Sequence, residues 1–212
     1  MRVYSLRGDI DTVLTPFDSI KYYKSFLQTG FMAMEPQTGY VKAWVGGINH
    51  KHFKYDHVKV SKRQVGSTFK PFVYALAIDN GSSPCELIPN VSTSIETPDG
   101  TQWCHDNSDG LKGTGQMITL KRALALSVNF VTAALMKRYG PASVVNLVKR
   151  MGIESDVPEV PAICLGTPDI SVFEMVGANS TFVNKGQYIQ PTFITRIEDK
   201  NGKVLEEFIP NT

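Results

Sequence analysis

No run in the 212 residues approaches the roughly eighteen consecutive apolar residues that a membrane-spanning helix needs. The N-terminus, Met1-Arg2-Val3-Tyr4-Ser5, lacks the charged-then-apolar pattern of a secretory signal, so any export signal is expected outside this chain. Charge of one sign is also missing. Twenty-two Lys and Arg against twenty Asp and Glu leave a net charge of +2 and a pI near 8.4, with no block of like charges. That balance argues against nucleic acid or an anionic membrane surface as an electrostatic partner. Cysteine is scarce and odd in number: Cys85, Cys104 and Cys164 match neither a zinc knuckle nor a redox pair, so buried free thiols are expected, with a Cys85–Cys104 bridge as the alternative. Three of the four histidines, His50, His52 and His57, lie close together. They alternate with lysines in a polar stretch without a matching set of acidic or cysteine ligands, which reads as a solvated loop rather than a metal site.

What remains is ordinary for a globular chain: 42% hydrophobic and 20% charged residues, enough for one substantial core and a small appendage. Residues 1–30 read as a preamble, with extended pieces at 2–5 and 11–15 and a helix from about Ser19 to Gln28, ended by Gly30. From residue 31 the texture changes. Two strand-like runs, 31–35 and 40–45, flank the turn Pro36-Gln37-Thr38-Gly39 and predict a β-hairpin. A polar loop over 46–64 leads to a helix over 68–78, whose remaining face (Phe72, Val73, Leu76, Ala77) is apolar and whose stop is Asp79-Asn80-Gly81. Ser83-Pro84-Cys85-Glu86 has the spacing of a capping box and predicts a helical turn before a long loop over 89–115. Thr119 caps a helix through Leu126, and another covers 130–139. Pro141 opens a third, closed by Gly152, and Ser171 with Glu174 forms a capping box before a helix to Val183. The end returns to strands, 192–198 and 203–208, around the turn Asp199-Lys200-Asn201-Gly202. Strands, then helices, then strands predict an α+β architecture.

Chemistry concentrates in Gln64-Val65-Gly66-Ser67-Thr68-Phe69-Lys70-Pro71. Ser67 and Lys70 stand three residues apart at a helix start, which puts both on one face and the amine within reach of the hydroxyl. A hydroxyl beside an amine base is an activated nucleophile. Ser67 is the only serine so placed, but one such pair is expected by chance in a chain with this many serines. Two features add weight: a helix N-terminus that directs partial positive charge at the serine, and a second polar element, Ser127-Val128-Asn129, between two apolar helices.

These residues, with the hairpin Ala33-Met34-Glu35-Pro36-Gln37-Thr38-Gly39, resemble the class A penicillin-binding proteins. The resemblance continues through Leu165-Gly166-Thr167, Ser171-Val172-Phe173-Glu174-Met175, Thr181-Phe182-Val183-Asn184-Lys185-Gly186 and Ile194-Thr195-Arg196-Ile197-Glu198-Asp199. It implies the penicillin-binding protein/serine β-lactamase-like transpeptidase fold, with residues 1–30 as the linker before that domain and 31–212 as a partial transpeptidase domain. It also implies peptidoglycan cross-linking through a serine acyl-enzyme, inhibited by β-lactams. In that chemistry Ser67 is the nucleophile and Lys70, neutral at that moment, is the general base. Ser127 relays a proton to the leaving nitrogen, Asn129 holds Lys70 and the substrate carbonyl, and the Ser67 N–H supplies half of an oxyanion hole. No cofactor is implied. The partners implied are stem peptides and β-lactams, and the place is the extracytoplasmic face of the bacterial inner membrane, reached through an anchor outside these residues.

The family's third element, Lys-Thr-Gly on a strand edging the cleft, does not occur here. Lys112-Gly113-Thr114-Gly115 precedes Ser127, carries an interposed glycine and reads as a turn. The expectation is therefore the helical part of the fold plus an incomplete antiparallel sheet, whose open edge invites homodimerisation. An isolated chain of this kind is expected to react poorly with penicillin. Two rival readings stand beside this one. A serine β-lactamase shares the first two motifs but needs a deacylating base, and none of Glu154, Glu159 and Glu174 lies in a fitting setting. A noncatalytic penicillin-recognition or scaffold module is the other.

Overall fold

The computed structural model describes residues 1–97, 99–105 and 113–208. Strands β1 (Arg2–Val3) and β2 (Ile10–Asp11) pair antiparallel and lead into helix α1 (Pro16–Lys24). The helix begins earlier than Ser19, because Thr15 accepts from the Asp18 N–H and Pro16 supplies a first helical residue with no N–H to satisfy. Tyr22 donates to the Tyr4 carbonyl at 2.7 Å, and the rings of Tyr4, Phe26 and Phe53 stack edge to face or tilted. Asp9 meets Lys51 at 2.8 Å and His52 at 2.9 Å, so one carboxylate fastens this N-terminal piece to the loop that follows the hairpin.

That hairpin forms as the sequence predicts. Strands β3 (Phe31–Met34) and β4 (Val41–Val45) pair antiparallel, with Met32 opposite Trp44. The expected loop over 46–64 is not all loop. Its last residues are β5 (Lys62–Gln64), which pairs antiparallel with β10 (Asp169–Ser171). All three β5 residues are charged or polar and exposed, so no apolar alternation marks them as a strand.

A 3-10 turn over Gly66–Phe69 runs directly into α2 (Lys70–Asp79), the centre of the core. Phe72, Val73, Tyr74, Leu76 and Ala77 are all buried on it, so the helix is covered on more than the one apolar face expected. After α2 the Ser83–Glu86 segment is a turn rather than helix. Glu86 does not reach back to close a capping box; it pairs with Arg138 at 2.7 Å. The long loop also contains structure: β6 (Leu87–Pro89) pairs with β9 (Met117–Thr119), and β7 (Ile95–Glu96) pairs with β8 (Gln102–Trp103). Strands of two or three residues are too short to display a period. Lys112, the first residue of the expected Lys-Gly-Thr-Gly turn, lies outside the described residues.

The helical middle follows its caps. Thr119 caps α3 (Leu120–Ala125), α4 (Asn129–Tyr139) follows the junction, and α5 (Pro141–Arg150) starts at its proline. Helices α3, α4 and α5 all pack on α2. A second 3-10 turn, Pro161–Leu165, also touches α2 and α4, and β10 then leads into α6 (Val172–Val183) through the expected Ser171–Glu174 capping box. Strands β11 (Arg196–Glu198) and β12 (Val204–Glu207) form the closing hairpin. The fold is α+β, with a helical body carrying six separate two-stranded pairs among the described residues. The cysteines differ from expectation in part: Cys164 is buried, whereas Cys85 and Cys104 are exposed free thiols, unbridged.

Candidate active site

The 3-10 turn makes Ser67 and Lys70 closer neighbours than an α-helix would, since residues three apart eclipse at three residues per turn. The Lys70 N–H donates to the Ser67 carbonyl and so closes the turn. The two side chains then part company in burial: Ser67 is exposed, whereas Lys70 keeps 1% of its surface. An ammonium taken out of water needs acceptors for all three of its N–H groups. Lys70 finds them in the α3–α4 junction: the Ser127 carbonyl at 2.5 Å, Ser127 Oγ at 2.8 Å and Asn129 Oδ1 at 2.6 Å. Among the described residues no hydrogen bond joins Lys70 Nζ to Ser67 Oγ. The amine that spacing alone aims at Ser67 is drawn instead to the junction.

The junction has an unusual backbone. Val128 N–H bonds the Ala123 carbonyl and Ser127 N–H bonds the Leu124 carbonyl, the paired closure that usually places glycine in the left-handed position. Here Ser127 takes that position at φ +56°. A non-glycine residue there costs on the order of 1 kcal/mol. What glycine cannot supply is the hydroxyl, and the same turn points both the carbonyl and the hydroxyl of Ser127 at one amine.

Burial pushes the Lys70 amine below its ordinary 10.5. Cys164, on the Pro161–Leu165 turn, would pull the other way if it were ionised. Burial holds that thiol up at about 12, so it is neutral while Lys70 titrates, and desolvation of the amine prevails. The sequence marks Cys164 only as a free thiol; its place beside Lys70 arises from chain segments far apart in sequence, with no local signal.

Glu174 stands apart from this group. Its carboxylate accepts from the Ser171 N–H at 3.0 Å, the Ser155 N–H at 2.6 Å, the Ser155 hydroxyl at 2.8 Å and the Glu154 N–H at 3.1 Å. Burial opposes its ionisation, but the hydrogen bonds from Ser171 and Ser155 outweigh that and hold its pKa below 4.5. Replacing it by glutamine is expected to cost about 1–2 kcal/mol of stability at neutral pH. A depressed carboxylate pKa stabilises the fold above the unfolded value of 4.5, and the contribution fades as pH falls through the lower folded value. The difference between wild type and Glu174→Gln in denaturant midpoints should therefore shrink on going below pH 4.5. A gap that stayed constant with pH would contradict the assignment. Among the described residues no carboxylate is hydrogen-bonded to Lys70, Ser127 or Ser67. The close histidines also serve other ends: His52 faces Asp9 and His57 packs against Tyr55.

Ser67 thus stands exposed, one turn from a buried amine with a depressed pKa, which in turn touches a hydroxyl and an amide on a second element. The family model for the penicillin binding protein transpeptidase domain matches residues 29–210. This chain belongs to the penicillin-binding protein transpeptidase family. The model for the penicillin-binding protein middle domain matches residues 1–27. Penicillin-binding protein 2D of Bacillus subtilis is 36% identical over 184 residues, covering 86% of this chain and 26% of that protein. Penicillin-binding protein 1A of Rickettsia felis is 33% identical over 175 residues, covering 82% and 22%. The chain therefore spans about a quarter of the length of these penicillin-binding proteins. Among solved structures, penicillin-binding protein 1A from Haemophilus influenzae superposes with a TM-score of 0.78 at 27% identity, covering 86% of this chain and 27% of that one. The PonA1 protein from Mycobacterium tuberculosis, in complex with penicillin V, gives 0.72 at 25% identity, covering 90% and 54%.

Proposed function

We propose that this domain carries out the acylation step of peptidoglycan D,D-transpeptidation, and that β-lactams intercept it at Ser67. The observation that carries the reading is the contact set of Lys70: one buried amine, one helical turn from an exposed serine, bonded to both Ser127 and Asn129. Ser67 Oγ attacks the carbonyl before the terminal D-alanine and gives its proton to the neutral Lys70 amine. The C–N bond breaks, D-alanine leaves with a proton passed through Ser127, and a Ser67 ester remains for an amine of a neighbouring stem peptide.

The contacts suit a neutral amine. Two N–H groups serve the Ser127 carbonyl and Asn129 Oδ1, the lone pair is left to take the Ser67 proton, and the amine so protonated has a 2.8 Å path onward to the Ser127 hydroxyl. Asn129 stays fixed by burial and orients the amine. Ser67 is the second residue of its 3-10 turn, where a backbone N–H has no intrahelical acceptor and is available to a developing oxyanion. The groove lined by Val65, Thr68, Ile170, Val172 and Met175, of about 400 Å³, adjoins the nucleophile's turn and offers an apolar wall to a bound peptide. Reaction with wall peptides places the working protein on the outer side of the cytoplasmic membrane.

The reading is tested on the full-length natural protein with a fluorescent penicillin and with nitrocefin. One persistent label per molecule and negligible nitrocefin turnover are expected. Steady hydrolysis over many turnovers per molecule would assign it to the β-lactamases instead, and no covalent label at all would favour a noncatalytic module.

A further inference from the structure

We propose that Gly166 is a positioning residue for acylation, holding the turn that presents Ser67; the inference rests on the proposed role of Ser67. The β5–β10 ladder does not stop where the strands end. Beyond the Gln64–Asp169 pair, the Val65 N–H donates to the Pro168 carbonyl at 3.2 Å and the Gly66 N–H to the Gly166 carbonyl at 2.8 Å. The last bond falls on the residue immediately before the nucleophile.

Gly166 sits in the left-handed region at φ +77° and ψ +42°. Its conformation alone would admit asparagine. The space around it would not. A Cβ on Gly166 would lie 1.8 Å from the Gly66 carbonyl oxygen, 2.4 Å from its carbon and 2.6 Å from its Cα. All three are backbone atoms, which cannot rotate out of the way as a side chain can. Relief requires the oxygen to retreat from 1.8 Å to at least the 3.4 Å of ordinary contact. Gly66, held at φ +56° with open space at its own Cβ position, is the part that can yield, and Ser67 moves with it.

The same short segment also faces the base. Cys164, two residues before Gly166, is buried close enough to Lys70 for the two to influence each other's ionisation. One stretch of chain thus backs the nucleophile's turn at Gly66 and the amine at Lys70. A shift at its Gly66 contact changes the position of Ser67 relative to Lys70 rather than moving both together.

The test is the Gly166→Ala variant of the full-length natural protein, followed by time-resolved labelling with a fluorescent penicillin at several concentrations. The acylation rate constant is expected to fall about 10²-fold, the scale for a misplacement of an ångström. The non-covalent affinity and the final labelled fraction should stay at the wild-type level. A residue needed only for folding would lower the labelled fraction and leave the rate of the folded molecules unchanged. Gly81→Ala is the control for strain: Gly81 has φ +91° at the far end of α2 with nothing within 4 Å of its Cβ position, so stability falls while the rate constant holds. If Gly166→Ala does not fold, Val65→Pro decides. Val65 at φ −77° accepts proline, which deletes the N–H bonded to Pro168 and also trims a side chain of the adjoining groove, so the acylation rate constant is read apart from the non-covalent affinity and is expected to be several-fold slower. Wild-type rate constants in the folded variants would overturn the positioning role. Failure of the wild type to label would instead remove the function on which it rests.

Discussion

Ser67→Ala abolishes covalent penicillin labelling, by at least about 10³-fold, while the fold is retained. The size follows from the lack of a substitute nucleophile within reach of the base. Ser127 Oγ is engaged with Lys70, and its hydroxyl belongs to the proposed proton path. Cys164 is fully buried, and with its thiol held up at about 12 it forms negligible thiolate at neutral pH. The retained fold follows from exposure. Ser67 presents its side chain to solvent, and removing an exposed hydroxyl changes stability by no more than about 0.5 kcal/mol. In-gel fluorescence after incubation with the labelled penicillin, with thermal unfolding in parallel, checks both halves. A variant that still accumulates label at the wild-type rate would place the nucleophile elsewhere.

Lys70→Met is the second large effect, slowing acylation by about 10²–10⁴-fold, the usual contribution of a positioned general base. Its signature is in the pH dependence. The wild-type rate constant should rise with pH as the amine loses its proton, with the inflection displaced below the ordinary 10.5 by burial, and this inflection should vanish in the variant. Stability carries the matching sign. With the folded pKa below 10.5, the unfolded chain binds more protons between the two values, so wild-type stability increases as pH rises through that interval. Without the amine the slope is absent. At neutral pH two terms oppose each other, because methionine relieves a buried cation but takes the amine donor from two oxygens of Ser127 and one of Asn129. Ser127 is exposed and water can replace that donor, whereas Asn129 is 7% exposed, so the loss there prevails and the variant is destabilised by about 1–3 kcal/mol. Stopped-flow acylation across pH, paired with denaturant unfolding, separates the two effects. An unchanged inflection in Lys70→Met would assign the base to another group.

Much of the architecture is legible locally, because caps and turns are local devices. Thr119, Pro141 and the Ser171–Glu174 pair open their helices where spacing predicts, and Gly39 closes the first hairpin. Two of the misreadings share one cause. Lys62-Arg63-Gln64 has the composition of a solvated loop and becomes a strand only because residues 169–171 lie alongside it. Ser83–Glu86 has capping-box spacing, but Arg138, from another helix, takes the glutamate that would complete it.

The site divides along the same line. The sequence by itself determined the residue types of the proposed acylating serine centre: Ser67 and Lys70 by their spacing together with the family resemblance, Ser127 and Asn129 by that resemblance and their place between two helices. Tertiary structure alone decided how they meet. Burial strips the Lys70 amine of water, so it must spend its hydrogen bonds on groups 57 and 59 residues away rather than on its neighbour one turn back. The place of Gly166 was decided in the same way: only when two distant backbones pack at 2.8 Å does the absence of a Cβ become a requirement.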